Sequence, residues 1–182
     1  MNPIFHPDES TELDEWPEAA PPSNGTFASI VVFAVVCLAF HWLGRQGWVP
    51  ILDSANLALH EAGHPLVGLF SSRAMVYGGT FFQLLFPSAF AWHFHRAGNA
   101  AGFAASLVWL GGNMYNVARY MADARVRVLP LVGGGEHDWT EIFGRWGVLH
   151  LDGRIAGLTR VIGSLLIFWA VFWLFRRWRS GR

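Results

Sequence analysis

The sequence predicts an all-α fold, a polytopic transmembrane helix bundle of about five spans. Three observations lead there. The chain of 182 residues is 53% hydrophobic and only 14% charged, against roughly 25% charged in a typical soluble domain. It carries 10 Trp and 15 Phe, and its mean hydropathy is +0.31. Five stretches also have the ~20 mostly apolar residues that a spanning helix needs.

The first span, 27–43, is "FASIVVFAVVCLAFHWL", an almost unbroken apolar run. The second, 49–70, is long enough but carries Asp53, Asn56, His60, Glu61 and His64. The third, 78–95, is punctuated by Gln83 and Pro87, and the fourth, 99–121, holds Asn113 and Asn116 in its second half. The fifth, 153–175, ends in "FWAVFWLF". Together they make one transmembrane domain, 26–176. Its polar connecting segment, 122–152, has room for one short helix. Residues 1–25 hold Asp8, Glu9, Glu12, Asp14, Glu15 and Glu18 with no basic residue, which suits a disordered or surface-lying tail and not a signal peptide. The last residues, 177–182, form a basic tail.

Trp42, Trp48, Trp92, Trp169, Trp173 and Trp178 sit near span ends, where interfacial aromatics belong. Arg176, Arg177, Arg179 and Arg182 place the C-terminus in the cytoplasm. Five alternating spans then put the acidic N-terminus and segment 122–152 on the outer face. Membrane lipid is an expected partner. Nucleic acid is not, because no basic patch exists outside the C-terminal flank. Cys37 is the only cysteine, so no internal disulfide forms, and it reads as a small buried hydrophobe.

Polar residues inside spans are costly and face protein or a water-filled cavity. At helical pitch Asp53, Asn56, His60 and His64 fall on one face of the second span, with Glu61 at its edge. Asn113, Asn116, Tyr120 and Asp123 form a second stripe on the fourth.

Within "LALHEAGHPLVGLF" (57–70), His60 and His64 are four apart, so both imidazoles can reach one Zn²⁺ at ~2.0–2.1 Å. Glu61 lies beside the ion and can take a proton from attacking water, then deliver it to a leaving amine. Pro65 leaves the Glu61 carbonyl without its helical donor, so a local kink is expected. The pattern is HExxH, the signature of zincin metallopeptidases. "HEAGH" most resembles the first metal motif of membrane-embedded site-2-type proteases. From about residue 50 to 152 the chain also resembles small bacterial membrane proteins of unassigned function that share "HEAGH … GGGxHDW". These resemblances imply an integral protein of the bacterial inner membrane with a zinc cofactor.

A catalytic zinc takes a third protein ligand and keeps one position open. Candidates are Asp123, Glu136, His137, Asp138, His150 and Asp152. His137 is preferred, because the glycines at 133–135 allow its loop to fold back into the bundle. Asp152 is an alternative, since "LDG" at 151–153 resembles the motif that supplies the third ligand in site-2-type proteases, and Asp123 is another. Asp138 would brace a histidine. Asn113 and Asn116 would hold substrate backbone or the oxyanion.

The expected function is a membrane-embedded zinc metallopeptidase hydrolysing peptide bonds in or near the bilayer, with a membrane protein or peptide as substrate. The alternatives are a non-proteolytic membrane protein with a structural metal site, a metal or proton carrier, and a degenerate peptidase used as a binding scaffold.

Overall fold

The computed structural model describes residues 21–43, 47–132 and 136–181, and the described residues are helical, with no strand among them. Most of the expected acidic tail and the glycines at 133–135 lie outside the described residues. The helices are α1 (Asn24–Leu43), α2 (Leu52–Gly68), α3 (Met75–Arg96), α4 (Ala100–Ala122), α5 (Asp138–Arg145) and α6 (Asp152–Ser180), with a short 3₁₀ turn at Leu149–Leu151. Each expected span coincides with a helix, and the connecting segment contributes α5.

Side-chain caps set several of the starts. Ser23 Oγ accepts from Thr26 N at 3.1 Å, and Asn99 Oδ1 accepts from Gly102 N at 2.8 Å. Such caps satisfy amides that have no partner inside the helix. Between α3 and α4 the chain reverses at Gly98, whose φ of 66° suits glycine. α2 continues as helix through Pro65.

Among the described residues, two helices have the length and apolarity to cross a membrane. They are Asn24–Leu43 and, with its 3₁₀ turn, Leu149–Ser180, with windows of mean hydropathy 2.2 and 1.9. Only 17% and 22% of those windows are buried inside the protein, and Val32, Val35, Leu165 and Phe168 point outward. α2, α3 and α4 fall short of that criterion. α2 is only 17 residues long, and in α3 and α4 the glycines, Gln83, Asn113 and Asn116 lower the hydropathy.

The helix directions depart from five alternating spans. α4 and α6 run antiparallel, with Phe103 on Trp173 at one end and Arg125 bonded to Asp152 at the other. α1 starts beside the end of α6, where Phe27 stacks on Trp178 at 4.8 Å and Asn24 accepts from Trp178 Nε1 at 2.9 Å. It ends where Trp42 donates to Tyr115, so it is parallel to α4. α2 is parallel to α4 as well, with Asn56 level with Trp109 and His60 level with Tyr120. Consecutive α1 and α2 therefore point the same way, and the starts and ends of the bundle share one face. The alternation failed as an expectation because hydropathy carries no direction.

α2 begins part-way along the bundle, preceded by irregular backbone with Val49 buried. Asp53 Oδ2 accepts from Val49 N at 2.7 Å and Oδ1 from Asn56 Nδ2 at 3.2 Å, while Asn56 Oδ1 accepts from Trp109 Nε1 at 2.8 Å. Half of the α2 stripe thus satisfies polar groups that would otherwise be buried without partners.

An apolar core joins α1, α4 and α6 through Ala34, Cys37, Val108 and Ile167. A second gathers Val117, Met121, Trp139 and Phe143 where α5 meets the end of α4. The second core seats α5 and so positions its first residue, Asp138.

Candidate metal centre

α2 and α3 form an antiparallel hairpin whose backbones touch at two glycines. A Cβ on Gly63 would lie 2.2 Å from the Gly78 carbonyl oxygen, and one on Gly78 would lie 2.3 Å from that of Gly63. This approach brings the buried face of α2 onto α3, His64 opposite Met75 and His60 opposite Gln83. Gly79 completes the cradle: a Cβ there would sit 2.5 Å from His60 Nε2 and 2.6 Å from His64 Nε2. The space that both ring nitrogens face exists because residue 79 has no side chain.

The third member is Asp138. Its Oδ2 lies 2.9 Å from His60 Nε2 and 3.3 Å from His64 Nε2. One ligand atom from each of the three residues falls within 4.8 Å of the others. Asp138 is the first residue of α5, and its amide donates to Tyr120 Oη at 3.2 Å. Tyr120 in turn lies edge-on to His60.

The roles of the ring nitrogens follow from their other partners. Met75 offers a carbonyl oxygen 3.0 Å from His64 Nδ1, so that nitrogen carries the hydrogen. Gln83 Nε2 donates to Asn113 Oδ1 and Asn116 Oδ1, both at 3.0 Å, which turns Gln83 Oε1 toward His60 Nδ1 at 3.2 Å. That nitrogen therefore carries its hydrogen too. Each neutral ring then presents an Nε2 lone pair to a carboxylate oxygen. Three acceptors facing one space repel unless positive charge lies between them; a proton serves one pair, and a divalent cation serves all three. Committing Nδ1–H to a carbonyl oxygen is also how metal-binding histidines are commonly oriented. The residues present fit a metal ion.

When protons on the Nε2 atoms take the place of a cation, the Asp138 carboxyl is raised by burial, but hydrogen bonds from His60 and His64 outweigh this and hold it below the usual carboxylate range. Asp138 is therefore an anion at neutral pH, as a ligand must be.

His137, the expected third ligand, stands next to Asp138 in sequence but turns elsewhere. Its Nδ1 accepts from Thr140 N at 3.3 Å, capping α5, and its Nε2 lies 3.4 Å from Asp123 Oδ2. Burial lowers its affinity for a proton. Asp123 also accepts from Val128 N and Leu129 N at 2.9 and 3.1 Å, which folds the chain after α4. Asp152 is bonded to Arg125 at 2.8 Å. The histidine pair is brought together with Asp138, and not with His137, Asp123 or Asp152.

Glu61 is half-buried beside His60 and lines two adjoining cavities. One of about 370 Å³ is walled by Leu57, Asn116 and Leu131 among others. The other, of about 380 Å³, includes His64, Asp138, Glu136 and Glu141. Gln83 and Gly79 were not singled out as site residues from sequence. The available signals were a lone amide in the middle of an apolar run and the pair "GG" at 78–79.

The two polar stripes meet through Gln83, so a buried chain of amides connects the histidines to α4. Hydrolytic metal sites need acceptor ligands, an adjacent base and a space for substrate; all three elements are present around Glu61. The chain matches no protein-family model, no curated protein and no solved structure.

Proposed function

We propose that this protein is a membrane-embedded zinc metallopeptidase, with His60, His64 and Asp138 holding the ion and Glu61 acting as general base and then general acid. The observation that carries this reading is the convergence of three acceptor atoms beside Glu61, with each histidine Nδ1 already committed to an oxygen. Two imidazoles and a carboxylate form a ligand set used by catalytic zinc, with one position left for substrate. When bound, the ion would supply Lewis acidity to a scissile carbonyl and acidity to the attacking water.

The chain's own residues do the rest. Gln83 and Met75 orient the rings. Asp138 brings negative charge and ties α5 to the site. Glu61 takes the proton of the attacking water and returns it to the departing amine. Asn116 lines the cavity of about 370 Å³ and anchors Gln83, so its amide lies where substrate backbone would pass.

The apolar outer faces of α1 and α6 support a bilayer setting. In this reading α1, α3, α4 and α6 cross, and α2 enters the bundle part-way, its irregular approach covered by protein. The basic end of α6 lies in the cytoplasm, so the metal centre, near the end of α4, opens toward the opposite face.

Purified protein should hold about one zinc per chain. Glu61→Gln should keep the metal and lose peptide cleavage by roughly 10²- to 10⁴-fold. Loss of metal in that variant would remove Glu61 from its assigned role. Metal- or proton-dependent flux in vesicles, with no peptide cleaved, would instead identify a carrier.

A further inference from the structure

We infer that the apolar-walled cavity beside Glu61 is a subsite for a short apolar peptide segment bearing a carboxylate, which Arg119 recognises. The inference rests on the peptidase reading for its consequence, though not for its geometry.

The cavity of about 370 Å³ has the size of a small-ligand site, about 300–1,000 Å³. Trp48, Leu57, Val117 and Leu131 give it an apolar wall. Among the described residues, Glu61 is the only carboxylate on its lining and Arg119 the only guanidinium. The guanidinium carbon of Arg119 lies 5.9 Å from the centre of the Trp48 ring. Stacking on an aromatic face holds the group in place and leaves its edge donors free. No carboxylate lies within ion-pair distance of Arg119 among the described residues, although other arginines, Arg125 and Arg145, have one. A guanidinium set into an apolar wall gains most from an anion that fits its planar fork.

The second cavity has the opposite character. Asp138, Glu136 and Glu141 line it, and the Arg145 that pairs with Glu141 is not on its lining. Away from the ion, its Glu136 and Glu141 side disfavours an anionic end, which Arg119 attracts. The site therefore has a polarity: a substrate would lie across Glu61 with its carboxylate side in the apolar cavity. Arg119 immediately precedes Tyr120, whose ring packs on His60, so the same turn of α4 serves both the metal centre and the subsite. A bound segment this short points to cleavage close to a carboxyl terminus, or one side chain away from an acidic residue.

The test uses the full-length, zinc-loaded Glu61→Gln protein in detergent micelles. The probes are acetyl-Leu-Ala-Leu as free acid, the same tripeptide as its amide, and acetyl-Leu-Ala-Glu amide. The free acid should bind roughly tenfold tighter than its amide, the effect of one charged hydrogen-bonding pair. Adding Arg119→Gln should abolish that preference with zinc content unchanged. Arg119→Lys should keep part of it, which separates recognition from misfolding. Tighter binding of the Glu-containing amide would name a side-chain carboxylate as the natural feature; weak binding would name the terminus. Equal affinity of acid and amide, or a preference that survives Arg119→Gln, overturns the inference, because the carboxylate is then read elsewhere. Cleavage of longer peptides by the wild-type chain tests the peptidase reading separately. Discrimination without cleavage would leave the subsite standing and sink only that reading.

Discussion

Two close helix crossings, α2 on α3 and α4 on α6, are built alike and have different consequences. In both, glycines face each other and the backbones touch. Between α4 and α6 a Cβ on Gly163 would lie 2.9 Å from the Gly111 carbonyl oxygen, and the neighbours are Ile167 and Met114. Nothing there needs a charge, and the crossing builds an apolar core. Between α2 and α3 the same device lies beside two histidines, and a third glycine, Gly79, clears the space their nitrogens face. Close packing of small residues drives helix association where apolar surface alone cannot. Here it also sets the distance between ligands.

The largest expected effect comes from comparing the two crossings directly. Gly63→Ala puts a methyl 2.2 Å from a backbone oxygen that cannot step aside. It should destabilise the fold by about 3 kcal/mol and take metal binding with it, whereas Gly163→Ala should cost about 1 kcal/mol and leave the metal in place. Chemical unfolding in detergent together with zinc analysis measures both. Equal losses would mean that the α2–α3 contact is not the tighter one.

Gly79→Ala separates packing from chemistry. Its methyl would meet the two histidine side chains, not backbone, so the chain should fold and its zinc content should fall from about one per chain to near zero. Retention of zinc would show that the ion sits away from this cradle.

The smallest effect lies outside both crossings. Arg125 Nε donates to the Asp152 carboxylate at 2.8 Å. Arg125 is 58% exposed, so the contribution is modest. Arg125→Gln should lower the melting temperature slightly at pH 7, and the gap to wild type should close on acidification through the carboxylate range.

The helices were legible in the sequence because apolar runs and caps are local signals. So were the stripes: Asp53, Asn56 and His60 are buried together as their spacing required. The histidine pair was legible because four residues of helix fix it. The third member was not. His137 and Asp138 are adjacent, and spacing cannot rank neighbours; what separates them is that His137 caps α5 while Asp138 begins it. Gln83 and Gly79 gain their roles only from what stands opposite, which a one-dimensional pattern does not contain. The direction of α2 is fixed by long-range contacts, such as Asn56 with Trp109, that hydropathy does not encode.

Zinc stoichiometry in two neighbouring variants tests most directly which residue completes the cluster. Asp138→Ala should leave the purified protein without zinc, while His137→Ala should retain about one zinc per chain, with reduced thermal stability from the lost cap. Zinc retained in Asp138→Ala and lost in His137→Ala would contradict the account.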